Sequence, residues 1–438
     1  MNENIAHGMT SLSTFALRAA RKAATVAETA ARTTQSQMSR AQRGLTHKID
    51  YQMQGLDCPT AQQYLDGCNR LTRPIRISDA TACKEPSIVV LGTLDTSAIF
   101  GGMATIFRVA AALAEYMGRP LVVAQTMGAD NAHARDTFRA LGLTVADGDV
   151  SSVDIRDRTN DVLPLHEDDI VVVSAWWDAV AVSKMGRNRK FVYLIQDYEP
   201  IFYSNSDDFV AAEASYLSRQ FVPIFNTSEL RKFFATKGYF DTSDSCFFEP
   251  AVELPSVSRS PRNDRVPKLF FYARPGVARN LFRTGLAAID LALGNPEMAN
   301  WEVHCAGSKD VPEVRFRNGT TLVRHGKMAP GDYFASLGTY DMCLSPMLAP
   351  HPNYPTLEFA TAGVPVVTTS WETKTDLAHY SGLIRLAAPT PEALADRLVE
   401  CARMTADEKA GGAAQGHIPT SWNETLTPAV AKLAEVLT

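Results

Sequence analysis

The chain has 438 residues, roughly two to three times the usual single-domain length, so two domains are expected. With 45% hydrophobic and 21% charged residues it can bury sizeable cores, which excludes global disorder and a small cross-linked scaffold. Its 43 basic and 48 acidic side chains leave a formal charge of −5, without the overall basic footprint of a nucleic-acid binder.

The charge is unevenly spread. Residues 1–50 carry seven Lys or Arg against Glu3, Glu28 and Asp50, a local +4. Between about 10 and 48 the sequence is rich in Ala, Thr and Arg, with a thin apolar stripe at Leu12, Phe15, Ala19, Val26 and Ala30. That spacing predicts a basic helical extension, taken over residues 1–85. Such a helix can touch an anionic membrane or a partner; so thin a stripe, alanine at two of its five positions, favours a solvated or partner-dependent helix. The N-terminus lacks a basic stretch followed by an apolar one, and no run approaches the ~18 apolar residues of a membrane span, so a cytoplasmic protein is expected, with peripheral contact at the inner membrane face left open. The seven cysteines form no CxxC pair and read as reduced and structural.

From Pro86 onward, short apolar runs of strand length alternate with helical stretches. Ser87–Gly92 is the first predicted strand, followed by a turn at Gly101 and Gly102 and an Ala-rich helix through Glu115. Leu121–Gln125, Ile170–Ser174, Phe191–Gln196 and Pro223–Asn226 continue the strands, apolar on both faces as in a parallel sheet covered by helices. A Pro-, Ser- and Arg-rich stretch then predicts a linker over residues 255–267. The alternation restarts with strands at Lys268–Ala273, Trp301–Ala306, Thr321–Arg324, Tyr340–Ser345 and Val364–Thr369, and helices from Asn280, near Gly331–Leu337 and from Thr356. Asn423–Leu437 predicts a closing helix. The fold class expected is α/β: a Rossmann-like domain over 86–254, a second over 268–415, and a C-terminal helix within 416–438, the two domains facing each other across a cleft.

In such folds ligands bind beyond the carboxyl ends of the strands. Neither half has G-x-G-x-x-G after its first strand, and no P-loop motif occurs, so nicotinamide-dependent hydride transfer and P-loop phosphoryl transfer lose their usual support. The densest candidate is Ser345–Val367, which reads as strand end, proline-rich loop, short helix and strand. Pro355 near the helix start lets the amides of Thr356, Leu357 and Glu358 form an anion cradle. Glu358 either complements the helix dipole or accepts the two hydroxyls of a ribose.

The block Tyr354–Val367 resembles the donor-binding motif of nucleotide-sugar glycosyltransferases of the two-Rossmann GT-B fold. Lys268–Leu281 (KLFFYARPGVARNL) is similar to the first strand and loop of their C-terminal domain. With Phe191–Tyr203 (FVYLIQDYEPIFY), these segments resemble the WsaF-type bacterial rhamnosyltransferases over about residues 86 to 410. The resemblance implies transfer of rhamnose from dTDP-β-L-rhamnose into a surface polysaccharide. Its donor side comprises Arg274, Arg279, Lys327, Tyr354, Pro355, Thr356, Leu357 and Glu358. One departure stands out: many retaining members carry a second glutamate eight residues before the ribose-binding one, where this chain has Pro350 followed by His351. His351 either substitutes for it or is a plain loop histidine.

Positioned cations stabilise the charge that grows on a diphosphate leaving group, a role suited to Arg274 and Lys327 at strand ends; Arg279 either joins them or precedes the next helix. On the other side, Gly101 and Gly102 allow close backbone approach or simply turn the chain. Trp177, Asp197, Tyr198 and Glu199 follow strands and offer aromatic and carboxylate groups to an acceptor. Asp197 is taken as the acceptor-contacting or proton-accepting residue, with Asp178 and Glu199 as alternatives. No D-x-D-type pair stands at a strand end, so neither a metal nor another cofactor is expected. The expected partners are a nucleoside-diphosphate sugar and a saccharide acceptor, lipid-linked or free. An epimerase of the same fold and a non-catalytic saccharide-binding subunit remain the alternatives.

Overall fold

Short runs of Val, Ile, Leu and Phe build two parallel sheets in the computed structural model, which describes residues 60–61, 70–94, 101–127, 134–143, 150–254 and 266–437. The basic arm at 1–50 and nearly all of the predicted linker lie outside the described residues. In the first half the strands are β1 (Arg76–Asp79), β2 (Ile88–Thr93), β3 (Leu121–Met127), β4 (Val150–Asp154), β5 (Val162–Leu165), β6 (Ile170–Val173), β7 (Phe191–Ile195), β8 (Phe221–Asn226) and β9 (Cys246–Phe248). Seven of them form one sheet in the order β4-β3-β2-β6-β7-β8-β9, with every neighbouring pair parallel.

The second half holds β10 (Lys268–Tyr272), β11 (Glu302–Ala306), β12 (Val323–Arg324), β13 (Met342–Leu344), β14 (Val366–Thr369) and β15 (Ile384–Ala387). They form a parallel sheet in the order β12-β11-β10-β13-β14-β15. In each sheet the chain runs outward from a central strand, returns and runs the other way, so strand order reverses between β2 and β6 and between β10 and β13. Those reversals open the crevices where open α/β sheets hold ligands.

Period-two alternation distributes each strand between two cores. Ile88 and Val90 enter one core of the first sheet while Val89 and Leu91 enter the other; Leu269 and Phe271 are divided from Phe270 in the same way in the second. Apolar residues on both faces are therefore what these positions require, and that is what made the central strands legible. The edge strands β4 and β12 are largely exposed and carry a weaker signal.

One boundary differs from expectation. Arg76–Asp79 does not continue a helical extension to residue 85 but pairs in parallel with Val162–Leu165. Its side chains are exposed, so no apolar pattern announces it; the backbone ladder recruits it, with Arg76 donating to Thr159 O at 2.9 Å and Ile75 buried just before it. All five described cysteines are free, four of them buried. Among the described residues no helix is long and apolar enough to cross a membrane.

The C-terminal helix Trp422–Leu437 returns to the first half. Leu426, Ala429, Val430, Leu433 and Ala434, at helical spacing, join the core containing Ile88, Val90 and the helix Gly102–Met117, and Arg108 of that helix lies 5.1 Å from the Trp422 ring centroid. The chain thus completes its first core with its last helix. Because Leu433 is fully buried, Leu433→Ala should cost about 2–5 kcal/mol, read as a lower denaturation midpoint with an unchanged slope. A loss below about 0.5 kcal/mol, the size of a surface substitution, would mean that this helix does not close the core.

Candidate active site

Asp197 stands just past the end of the fully buried strand β7 and is only 7% exposed. One carboxylate oxygen accepts the Tyr198 amide N–H at 2.8 Å. From the second half, Arg279 Nε approaches Oδ2 to 3.5 Å and His351 Nε2 approaches Oδ1 to 3.5 Å. Neither is a well-aligned hydrogen bond, since both nitrogens are buried without a hydrogen-bond partner. Burial pushes the Asp197 carboxyl up, but His351, Arg279 and the Tyr198 amide together outweigh it, and the net displacement is downward. Asp197 is therefore ionised at neutral pH.

The neighbouring strand ends frame this carboxylate. Gln196 donates its amide N–H to Gly102 O at 2.9 Å and to Ser174 Oγ at 2.7 Å, tying β7 to the start of the helix Gly102–Met117 and to the end of β6. A side chain at Gly102 would press on Gln196 at 3.3 Å, and Gly101 adopts a positive φ of 55°, so both glycines serve this close turn. Glu199 accepts the Trp176 amide N–H at 2.8 Å, capping a helix whose own cap residue, Ala175, has no acceptor side chain. Burial, with Asp197 and Asp178 nearby, pushes the Glu199 carboxyl up to about 8, so at neutral pH it is mostly protonated.

Two of the acceptor-side expectations are corrected. Tyr198 is no stacking platform: it is 4% exposed, packs against Tyr216, Phe233 and Tyr239, and donates its hydroxyl to Glu213 at 2.8 Å. Asp178 is sealed in an ion pair with Arg158 at 2.9 Å, and burial raises it to about 6. Tyr198 stands beyond the end of β7 and Asp178 in the helix Trp176–Ser183, where no strand alternation in the sequence tells which side chain turns to the core. Trp177 is half-buried and packs edge-to-face with Trp176 at 5.9 Å.

On the donor side, Arg274 follows β10 and Arg279 sits in the short turn Ala278–Asn280, its guanidinium 4.0 Å from the Phe202 ring centroid. Burial first, and the like charge of Arg274, lower the Arg279 pKa, while Asp197 opposes them. Gly307, which sequence reasoning passed over, has φ 122°; a side chain there would meet Ala273 O at 3.0 Å and Arg274 Cγ at 3.2 Å. Its amide donates to Gly326 O at 2.9 Å, so the loop bearing exposed Lys327 lies across Gly307 from Arg274. A glycine after a strand was the available signal.

The helix carrying Glu358 begins earlier than the anion-cradle expectation requires. It spans Tyr354–Thr361 with Asn353 as its cap. The Thr356 amide is taken by Asn353 Oδ1 at 3.0 Å, and Leu357 and Glu358 lie a turn further in, opposite the carbonyls of Asn353 and Tyr354. The expected cradle of three open amides is thus not formed. Leu357 is fully buried in the second-half core, and the Tyr354 hydroxyl meets Thr105 Oγ1 at 2.8 Å, joining the two halves. Asparagine at 353 was the cap signal in the sequence. Glu358 is 9% exposed and accepts the Tyr333 hydroxyl at 2.7 Å; burial raises its carboxyl to about 7.

Two further residues reach the site: His351, for which the sequence left a sugar-contacting role or a plain loop place open, and Lys374, which the sequence did not single out. His351 meets Asp197, and fully buried Lys374 donates to Met347 O at 3.0 Å, in the same loop as His351. A lone histidine among prolines and a lone lysine carry no periodic or motif signal.

An ionised carboxylate past the end of one sheet thus faces a guanidinium and an imidazole carried by the other half. The same two halves match known domain models: residues 88–228 match "WsaF, N-terminal domain" and residues 267–399 match "WsaF, C-terminal domain". The chain belongs to the WsaF family. It is 33% identical over 305 residues to the O-antigen biosynthesis protein RfbC of Myxococcus xanthus, over 68% of this chain and 23% of that protein; the chain therefore spans under a quarter of that relative's length. Among solved structures it is similar to sucrose-phosphate synthase from Thermosynechococcus elongatus (TM-score 0.56, 10% identity, 81% of this chain and 99% of that one). Anabaena HepE in complex with UDP and glucose aligns with a TM-score of 0.53 at 12% identity, over 81% of this chain and 99% of that one. These likenesses show the fold, which is GT-B, so the expected two-Rossmann GT-B fold and the expected WsaF-type kinship are both met.

In this WsaF-family site the buried Glu358 carboxyl titrates near 4.5 in the unfolded chain and near 7 in the folded one, so the folded protein binds the extra proton in that window. The contribution of Glu358 to stability therefore declines as pH rises from about 4.5 to about 7 and is flat above. Glu358→Gln removes this decline, and its thermal midpoint relative to wild type should rise across the window. A constant offset from acid to neutral pH would contradict burial of an ionisable Glu358.

Proposed function

We propose that this protein transfers rhamnose from dTDP-β-L-rhamnose to a saccharide acceptor of a bacterial surface glycan. The observation that carries this reading is ionised Asp197 facing Arg279 and His351 at the meeting of the two strand-end crevices. The O-antigen role named for RfbC supports the glycan assignment, and the UDP and glucose bound by HepE support a nucleotide-sugar donor. The rhamnose donor rests on the family likeness.

In the proposed step an acceptor hydroxyl oxygen bonds to the anomeric carbon and gives its proton to Asp197. The bond from that carbon to the diphosphate breaks, and its electron pair leaves on the diphosphate oxygen. Arg274 and Arg279, with Lys327 at the exposed mouth, neutralise the growing charge, an effect strongest in the transition state. Glu358 orients the ribose through its hydroxyls. Cationic side chains supply this stabilisation in the proposal without a metal. The acceptor is a saccharide, lipid-linked where the basic arm at 1–50 holds the protein to the inner membrane face from the cytoplasm.

Incubation with dTDP-β-L-rhamnose and rhamnose-terminated oligosaccharides should yield dTDP and an extended glycan. A new free nucleotide sugar would indicate an epimerase instead, and no turnover a binding subunit. Arg274→Ala and Glu358→Ala should weaken donor binding by calorimetry while the protein stays folded; unchanged affinity in both would remove the donor assignment. Lys327→Ala should raise the barrier by about 2–4 kcal/mol, with a smaller effect on binding. Asp197→Asn should keep donor binding and lower transfer by roughly 10²-fold or more, and near-normal transfer at saturation would rule out its proton-accepting role. Deleting residues 1–50 should reduce pelleting with anionic liposomes and spare transfer to a soluble acceptor; equal pelleting would refute the membrane contact.

A further inference from the structure

The proposed reaction leaves Lys374 without a part, although it is fully buried. It lies in the loop after β14, where Trp371 and Lys374 form an isolated antiparallel bridge and Glu372 takes a positive φ of 49°. The loop is anchored on the first half: the Trp371 ring packs on Phe233 at 5.7 Å, and Glu372 stands 4.0 Å from Lys237. Burial lowers the Lys374 ammonium to about 7, with the Asp197 and Glu229 carboxylates opposing the shift. An apolar side chain of similar length would fill this space with no charge to desolvate, so packing does not explain a lysine here.

Its hydrogen bonds do. Nζ donates to Met347 O at 3.0 Å and reaches His351 O at 3.4 Å. The loop between them belongs to a segment containing Pro346, Pro350 and Pro352. Prolines stiffen φ but offer no N–H, so the loop has few donors of its own: the Ala349 amide reaches Met347 O at 3.1 Å, and the remaining bonds come from outside. Thr369 Oγ1 also secures Met347, and the Leu348 amide donates to Arg279 O at 2.8 Å. The loop is thereby fastened to the backbone of Arg279 on one side and to Lys374 on the other, and both residues that approach Asp197 depend on it.

We infer that Lys374 is a positioning residue: by holding the carbonyls of Met347 and His351 it fixes the proline-rich loop so that His351 faces Asp197 during transfer. This rests on the reading of Asp197 as the proton acceptor. In the full-length protein, Lys374→Met should lower kcat for rhamnose transfer by about 10–10²-fold while the donor Kd, from calorimetry, stays within about twofold. Lys374→Gln, which keeps an N–H donor one atom shorter, should lose less, and it carries the same tests should the Met variant not fold. The loss from Lys374→Met should largely disappear in a His351→Ala background, because the effect runs through His351. Hydrogen exchange of the amides of Met347, Leu348, Ala349 and His351 should accelerate in Lys374→Met. Equal losses in both backgrounds, a wild-type kcat or unchanged exchange in that loop would overturn the inference. If wild-type protein turns over no nucleotide sugar, the transferase reading fails, and the exchange measurement still decides whether Lys374 holds the loop.

Discussion

A carboxylate at the end of one parallel sheet is held between a guanidinium and an imidazole carried by the other half. Asp197 is too buried to be solvated well, and it stays ionised because Arg279 and His351 stand 3.5 Å away on either oxygen. Such a contact requires the second half to face the first with its own strand ends inward. Other links across the same divide agree with it: Tyr354 with Thr105, Trp371 with Phe233, and the Tyr380 hydroxyl with Glu249. The C-terminal helix, packed into the first core after the chain has completed the second sheet, fastens the halves covalently and sterically.

Around that contact, burial divides chemically similar groups into different states. Glu199 is driven to about 8 and Glu358 to about 7, while Asp197 is lowered. The same desolvation acts on all three; what differs is the opposite charge within reach. Asp197 has the Arg279 guanidinium, the His351 imidazole and the Tyr198 amide, Glu358 has a neutral tyrosine hydroxyl, and Glu199 lies near two other carboxylates. This arrangement sets the negative charge of Asp197 against Arg279 and Arg274 of the other half, the polarity that the proposed departing diphosphate and deprotonating hydroxyl would require.

The sequence by itself determined the alternation of strands and helices, the division into two Rossmann-like halves and the closing helix, because apolar periodicity and turn residues are local properties that a buried strand must have wherever it ends up. Family likeness carried in ARPGVARN, QDYEP and NYPTLE brought Arg274, Arg279, Asp197 and Glu358 forward as well. Only the tertiary structure decided which neighbours of Asp197 face the cleft: Tyr198 turned into an aromatic core and Asp178 into an ion pair with Arg158. It also decided that the helix of Glu358 starts at Tyr354, that β1 joins β5, and that His351 and Lys374 meet the site from distant loops. The physical reason is common to these cases. A lone lysine, histidine or exposed strand is written in sequence like any solvated residue, and its burial and partners exist only once segments far apart in the chain have packed together.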